Sequence, residues 1–259
     1  MLEIKNLKYG YDLNSELISD LSLTLKSQSF NSILGSNGSG KSTLCKLIAH
    51  ILKPDLGEIL LDGRPITDRD VAIVFQNPAD QFVRPIVYND LAFGLENLNI
   101  DIEQIDREIK SIAEEFNIEH LLERNVNTLS GGEMQRVAIA SSILLKPRVL
   151  ILDEATDMLD PITRSRLLVK LTDYARKNNV IIIYITHDME LAFHTDNIII
   201  IGEGNVKFIG TPLATFNNTK VVNENRLSIP YNVQLMKQVC GDYCYTSLDS
   251  FKEMYELKT

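Results

Sequence analysis

The sequence predicts an α/β fold, and three observations carry that reading. Two runs, 149–152 and 180–185, are continuously apolar, as strands buried on both faces of a parallel sheet are. A helix predicted over 163–177 separates them, so together they read as a βαβ unit. Upstream, a glycine-rich stretch lies between a β run at Phe30–Leu34 and a helix beginning near Lys41.

The remaining elements follow in order. Runs at 2–7 and 21–25 read as strands before the glycine-rich turn. A run at 58–61, the turn Asp62-Gly63 and a run at 71–75 follow, and Asp-Gly between apolar runs signals a hairpin. From Asn77 to about Leu145 the pattern becomes helical, with Ile102, Ile105, Ile109, Ile112 and Phe116 at helical spacing. After Pro212 the chain is Asn-rich, and a final helix is expected over 248–257.

Length and composition narrow the function classes. The chain has 259 residues, enough for one large α/β domain with a small appendage. Hydrophobic residues make up 44% and charged residues 24%, as in an ordinary globular chain. A net charge of −9 argues against nucleic acid as the main partner, because phosphate backbones demand a basic surface. No apolar run approaches the ~20 residues of a membrane span. The expectation is a soluble, cytosolic chain that meets a membrane only through a partner. Cys45, Cys240 and Cys244 are an odd, sparse set that fits reduced thiols. Cys240 and Cys244 are expected to be core residues at helical spacing, since no second pair completes a metal site.

Three motifs carry chemistry. Gly35-Ser36-Asn37-Gly38-Ser39-Gly40-Lys41-Ser42-Thr43 fits G-x-x-x-x-G-K-[ST] between a strand and a helix. Its glycines let successive backbone N–H groups curl around an anion, and the helix N-terminus adds positive potential. Lys41 is placed to reach the β and γ phosphates of a nucleotide, and the Ser42 hydroxyl to ligate Mg²⁺. Asp153-Glu154 ends the run at 149–152, at the carboxyl end of a strand, where open α/β sheets hold ligands. Asp153 suits Mg²⁺ binding, and Glu154 suits a general base for an attacking water. Leu129-Ser130-Gly131-Gly132-Glu133 opens a helix. Ser130 and Glu133 form a capping box, but capping does not call for two glycines, each costing about 1 kcal/mol against Ala in a helix. Close approach of a phosphate from another subunit would account for them.

Residues 1 to about 210 resemble an ABC transporter nucleotide-binding domain, with Walker A, the LSGG signature and Walker B in that family's order. The resemblance implies a P-loop core of ABC type, with an antiparallel β subdomain and an inserted helical subdomain. It places the core at 1–76 and 146–211, the helical subdomain at 77–145 and a C-terminal extension with dimer contacts at 212–259. It further implies a Q-loop glutamine at Gln76, a D-loop aspartate at Asp160, a switch histidine at His187 and an adenine-stacking aromatic at Tyr11, with Tyr9 as a rival. Gln76, with Ser42 and Asp153, would serve the Mg²⁺. Two such subunits would sandwich two ATP molecules, each site pairing one Walker A with the other chain's Ser130 to Glu133. His187, Glu190 and His194 could mimic a metal site, but their spacing is not H-E-x-x-H.

Three stretches resemble more closely the ATP-binding subunits of energy-coupling factor transporters, which import vitamins and transition-metal ions: 75–82, 89–97 and 153–161. That resemblance implies a paralogous second ATPase subunit, a transmembrane coupling subunit and a substrate-binding membrane subunit. It puts the chain peripherally on the cytoplasmic face of the cell membrane. Ser36, Glu133 and Gln28-Ser29 depart from the usual residues without removing a catalytic group. Other ABC importers or exporters share the motifs, as do DNA-repair-type ABC ATPases, which usually carry long coiled coils between the Walker motifs. Residues 77–96 are expected to form the membrane partner's groove, with acids Asp80, Asp90 and Glu96 beside Phe82, Ile86, Val87, Leu91 and Phe93.

Overall fold

A computed structural model describes residues 1–12, 15–231, 233 and 234. Cys240, Cys244 and the helix expected over 248–257 lie outside them. The first half of the chain forms β1 (Leu2–Asp12), β2 (Ser15–Leu25), β3 (Phe30–Leu34), α1 (Lys41–Ile48), β4 (Leu56–Leu61), β5 (Arg64–Pro65), β6 (Val71–Val74), α2 (Val87–Glu96) and α3 (Ile102–Phe116). The second half forms α4 (Gly131–Leu144), β7 (Val149–Asp153), α5 (Pro161–Asn178), β8 (Ile181–Ile185), α6 (Met189–Phe193), β9 (Asn197–Gly202), β10 (Asn205–Gly210), α7 (Pro212–Asn217) and α8 (Thr219–Glu224).

Two sheets organise these elements. One is antiparallel, in the order β2-β1-β4-β5; the other runs β10-β9-β3-β8-β7-β6 and is parallel except for β10. The expected turn at Asp62-Gly63 joins β4 to β5, and both residues have the positive φ (51° and 80°) that a tight hairpin of this twist requires. β1 and β2 are longer than their apolar runs suggest, because they pair with each other beyond them, through several register shifts.

The period of two explains the apolar runs. Val149 and Ile151 of β7, with Ile181, Ile183 and Ile185 of β8, face a core shared with α1 and the antiparallel sheet. Leu150 and Leu152, with Ile182 and Tyr184, face the opposite way, into a core shared with α2, α3, α4 and α5. In α3 the residues Ile105, Ile109, Ile112 and Phe116 are buried as the spacing predicts, whereas Ile102 is exposed at the first turn. A smaller cluster gathers α6, α7 and α8 around Phe193, Phe216, Val222 and Val233. No helix among the described residues is long and apolar enough to cross a membrane.

Candidate active site

Strand order assembles the site. β6, β7, β8 and β3 are successive neighbours in the sheet. Gln76 follows β6, Asp153 ends β7, His187 follows β8, and the loop 35–40 follows β3. Four segments remote in sequence therefore line one carboxyl edge of the sheet, the place where open α/β sheets hold ligands.

The loop 35–40 wraps ahead of α1. Gly35 has φ 155°, and a Cβ there would lie 2.2 Å from the Ile201 carbonyl oxygen of β9, so no side chain fits. Gly40 caps the N-terminus of α1 with φ 99°, a left-handed conformation that leaves the helix start, with its positive potential, at the end of the loop. Lys41 is 6% exposed, and its Nζ donates to the carbonyls of Gly35 (2.8 Å) and Ser36 (3.0 Å) across the loop. Burial lowers the Lys41 pKa, while Glu154 and Asp153 oppose that shift. Ser36, which departs from the related pattern, contributes its backbone: its carbonyl also accepts from Ser39 N at 3.2 Å.

At the end of β7 the two carboxylates diverge. Asp153 accepts from the Ser42 hydroxyl at 3.3 Å, and burial raises its pKa against the opposing pull of Ser42, Lys46, Lys41 and His187. Glu154 takes φ 51°, a left-handed conformation uncommon outside glycine and costly for an acidic residue unless its surroundings hold it. Its amide donates to Ile185 O at 3.1 Å. Its side chain is 15% exposed, with Oε2 accepting from Gln76 Nε2 at 2.6 Å and Oε1 lying 2.6 Å from His187 Nε2. Gln76, Glu154 and His187 thus converge on one point, although they come from three strands.

Ser130 to Glu133 form the capping box that the sequence predicts. Ser130 N donates to Glu133 Oε2 at 2.7 Å, and Glu133 N donates to Ser130 Oγ at 3.3 Å. Ser130 lowers the Glu133 pKa, first through its backbone N–H, and Arg124 adds to this from 3.7 Å. The adjoining glycines pack within their own chain: a Cβ on Gly131 would meet the Met158 sulfur at 2.7 Å, and one on Gly132 the Met158 carbonyl at 3.3 Å. Asp160 is the N-cap of α5, accepting from Ile162 N (3.1 Å) and Thr163 N (3.0 Å).

Tyr11 is 58% exposed, and its hydroxyl lies 3.2 Å from Thr43 Oγ1, beside the loop. Tyr9 packs against the core and meets the Tyr11 ring edge-on at 5.2 Å. Tyr9 is thus half-buried, whereas the Tyr11 ring is the more exposed of the two.

The segment after Gln76 departs from expectation. Asp90, expected at the edge of the partner's groove, is 8% exposed and accepts from Val83 N (2.7 Å) and Arg84 N (2.9 Å). Through Oδ1 this acid of the first turn of α2 ties down the preceding backbone. Val87 and Leu91 belong to the core, while Phe82, Ile86 and Phe93 are half-buried. Of the three expected acids Asp80 and Glu96 are exposed, as are Val83, Arg84 and Pro85 between them, and the Arg84 guanidinium sits 4.8 Å from the centre of the Phe93 ring.

Two side chains outside every motif hold the turn 157–159. Gln135 of α4, fully buried, accepts from Met158 N at 3.1 Å. Arg164 of α5 reaches the Asp157 and Leu159 carbonyls. Nothing in the sequence singles them out except polar residues at positions that a helix would otherwise leave apolar or solvated.

Fold and site define a P-loop ATPase of the ATP-binding-cassette class. The family described as ABC transporter matches residues 18–157. The energy-coupling factor transporter ATP-binding protein EcfA1 of Staphylococcus aureus is 39% identical over 249 residues, 91% of this chain and 90% of that relative. EcfA of Malacoplasma penetrans is 36% identical over 244 residues, 92% of this chain and 85% of its own. Among solved structures, cbiO1 of Clostridium perfringens, described as part of the ABC transporter complex cbiONQ, superposes with a TM-score of 0.77 at 33% identity, covering 91% of this chain and 98% of that one. The chain belongs to the ABC transporter family and, within it, to the energy-coupling factor transporter ATP-binding proteins.

Proposed function

We propose that this chain binds and hydrolyses ATP to energise an energy-coupling factor importer. The observation that carries the reading is the convergence of Gln76 and His187 on Glu154, at the strand end beside Lys41 and Ser42. ATP would lie with its phosphates on the loop 35–43 and its adenine against Tyr11. Lys41 would give up the two loop carbonyls for phosphate oxygens. Glu154 accepts a proton from water as the water oxygen attacks the γ-phosphorus, and the bond to the β–γ bridging oxygen breaks, leaving ADP and phosphate. Gln76 and His187 fix the carboxylate from opposite sides.

The donor set suits Mg²⁺. The Ser42 hydroxyl, the Asp153 carboxylate and the Gln76 amide oxygen are hard ligands, and burial already disfavours an Asp153 carboxylate without a cation. Bound there, Mg²⁺ would offset the charge of the phosphates. Ser130, Gly131, Gly132 and Glu133 would meet ATP held by a second ATPase subunit, a paralogue, and Asp160 would face that same interface. Residues 1–76 and 146–211 act as the core, 77–145 as the helical subdomain and 212–259 as a C-terminal extension. The dimer sits on the cytoplasmic face of the membrane, on a transmembrane coupling subunit with its substrate-binding partner. The exposed acids Asp80 and Glu96, beside Val83, Arg84 and Pro85, would offer the surface that meets that subunit.

Purification of the tagged chain from native membranes in mild detergent, with mass spectrometry of what accompanies it, tests the reading. A second ATPase and a multi-spanning subunit are expected, with Mg²⁺-dependent phosphate release. Recovery of the chain alone, from the soluble fraction only, would refute the transporter assignment.

A further inference from the structure

We propose that Arg164 is a positioning residue for hydrolysis, tying the turn 157–159 to the segment that carries His187. The inference rests on the roles given above to Glu154 and His187. One guanidinium makes all the contacts. Nη2 donates to the carbonyls of Asp157 and Leu159, each at 3.2 Å. Nη1 donates to Asp188 Oδ2 at 3.3 Å. The Arg164 side chain is 18% exposed and that of Asp188 37%, so the pair lies under the surface on the arginine side.

These contacts close a ring. Glu154 meets His187 at 2.6 Å, and His187 adjoins Asp188 in the chain. Asp188 meets Arg164, Arg164 holds the carbonyls of Asp157 and Leu159, and the chain runs back from Asp157 to Glu154 in three residues. The ring is anchored to β8 at two further points. Thr156 Oγ1 lies 2.5 Å from the Tyr184 hydroxyl, and Glu154 N donates to Ile185 O. The angle at which His187 faces Glu154 is therefore fixed from both sides, by the strand and by the arginine. Displacements of about 1 Å in such geometry cost up to about 100-fold in rate.

The same turn also receives Gln135, through Met158 N, and the Met158 side chain lies against Gly131. A shift of the signature helix would reach the turn 157–159 by that contact, and Arg164 would pass it to Asp188 and His187. A lysine cannot replace the arginine, since two carbonyls and a carboxylate need a planar fork with several donors.

Asp188 supplies a clean partner for the test. Its Oδ1 caps α6, accepting from Glu190 N (2.9 Å) and Leu191 N (3.3 Å), while Oδ2 serves Arg164. Asparagine caps a helix as well as aspartate does, so Asp188→Asn keeps the cap and removes the charge that faces Arg164.

The experiment compares Arg164→Lys, Asp188→Asn and the double variant, in the full chain with its ATPase partner, by steady-state phosphate release, ATP binding and thermal unfolding. Each single variant is expected to lower kcat roughly 10- to 100-fold. ATP affinity should stay within about twofold, the unfolding midpoint should hold, and the double variant should be no slower than the worse single one. Wild-type kcat in Arg164→Lys overturns the proposal. So do losses that multiply in the double variant, or a fall in ATP affinity or unfolding midpoint that tracks the loss of rate. His187→Ala separates the two levels of inference. Wild-type turnover there would refute the site itself, whereas an impaired His187→Ala beside active Arg164→Lys and Asp188→Asn variants would remove only this proposal.

Discussion

Replacing Glu154 by glutamine keeps the size and most of the hydrogen bonding of the side chain while removing its capacity to take a proton. In the structure each carboxylate oxygen has one partner, Gln76 Nε2 at 2.6 Å and His187 Nε2 at 2.6 Å. A glutamine oxygen satisfies one of these donors, and its amide nitrogen faces the other, so one hydrogen bond is lost. That loss costs about 1 kcal/mol of stability, too little to unfold a domain of this size. Catalysis should suffer more: losing a general base removes about 10²- to 10⁴-fold, or roughly 3–5 kcal/mol of barrier at 1.36 kcal/mol per decade. Phosphate release at saturating ATP and Mg²⁺ measures the rate, and a fluorescent ATP analogue measures binding. Size-exclusion chromatography with ATP should show the variant accumulating as a closed dimer. Wild-type turnover in Glu154→Gln would remove Glu154 from the chemistry. A collapse of ATP binding equal to the loss of rate would make it a structural residue of the loop.

Other substitutions separate the remaining roles. Lys41→Ala should weaken ATP binding itself, because the Lys41 charge meets the phosphates in the ground state; unchanged affinity by equilibrium binding would refute that contact. Gly131→Leu displaces the flexible Met158 side chain and should leave the unfolding midpoint within a few degrees while abolishing turnover, so hydrolysis near the wild-type rate would exclude phosphate approach at this helix. Asp70 accepts from Arg64, at 2.8 and 2.6 Å, and from Thr67 N and Oγ1, and the Arg64 guanidinium leads these in holding its carboxyl far below the usual range. Because the folded pKa is depressed, the stabilisation is complete above the unfolded value near 4 and fades as pH falls below it. The gap in unfolding midpoint between wild type and Asp70→Ala should therefore be full at pH 7 and narrow towards pH 2, and a gap independent of pH would contradict the assignment.

How much of this was legible in the sequence depended on whether the signal was local. The runs at 149–152 and 180–185 announced themselves because both faces of β7 and β8 are buried, so every position is apolar. The loop 35–43 was legible because phosphate binding by backbone requires glycine at fixed offsets. Asp90 was not. An acid two residues before Ala92 in a helix reads as solvated, and its burial depends on the backbone of Val83 and Arg84 folding back over the first turn. Tyr9 and Tyr11 share the parity of one strand face, yet register shifts on either side of Tyr9 turn one into the core and leave the other exposed. Arg164 and Asp188 stand 24 positions apart, and no pattern of period two or 3.6 joins them; only the strand order brings the turn 157–159 and the His187 segment together.

The glycine pair shows how one motif can answer to two demands. Gly131 cannot carry a side chain without moving Met158, but that contact is with the end of a flexible thioether, which can rotate away. Packing within the chain therefore makes glycine convenient at Gly131 without making it necessary. Gly132 faces a backbone carbonyl at 3.3 Å, a contact that a small shift would relieve. Neither position has a positive φ, so backbone conformation does not demand glycine either. Two residues that each cost about 1 kcal/mol in a helix stand at its N-terminus, where the amides point outward and the capping box already satisfies Glu133 N. What the chain itself requires falls short of explaining both glycines. The proposed approach of an anion from a second subunit to the amides of this first turn, closer than any Cβ would allow, would account for the remainder.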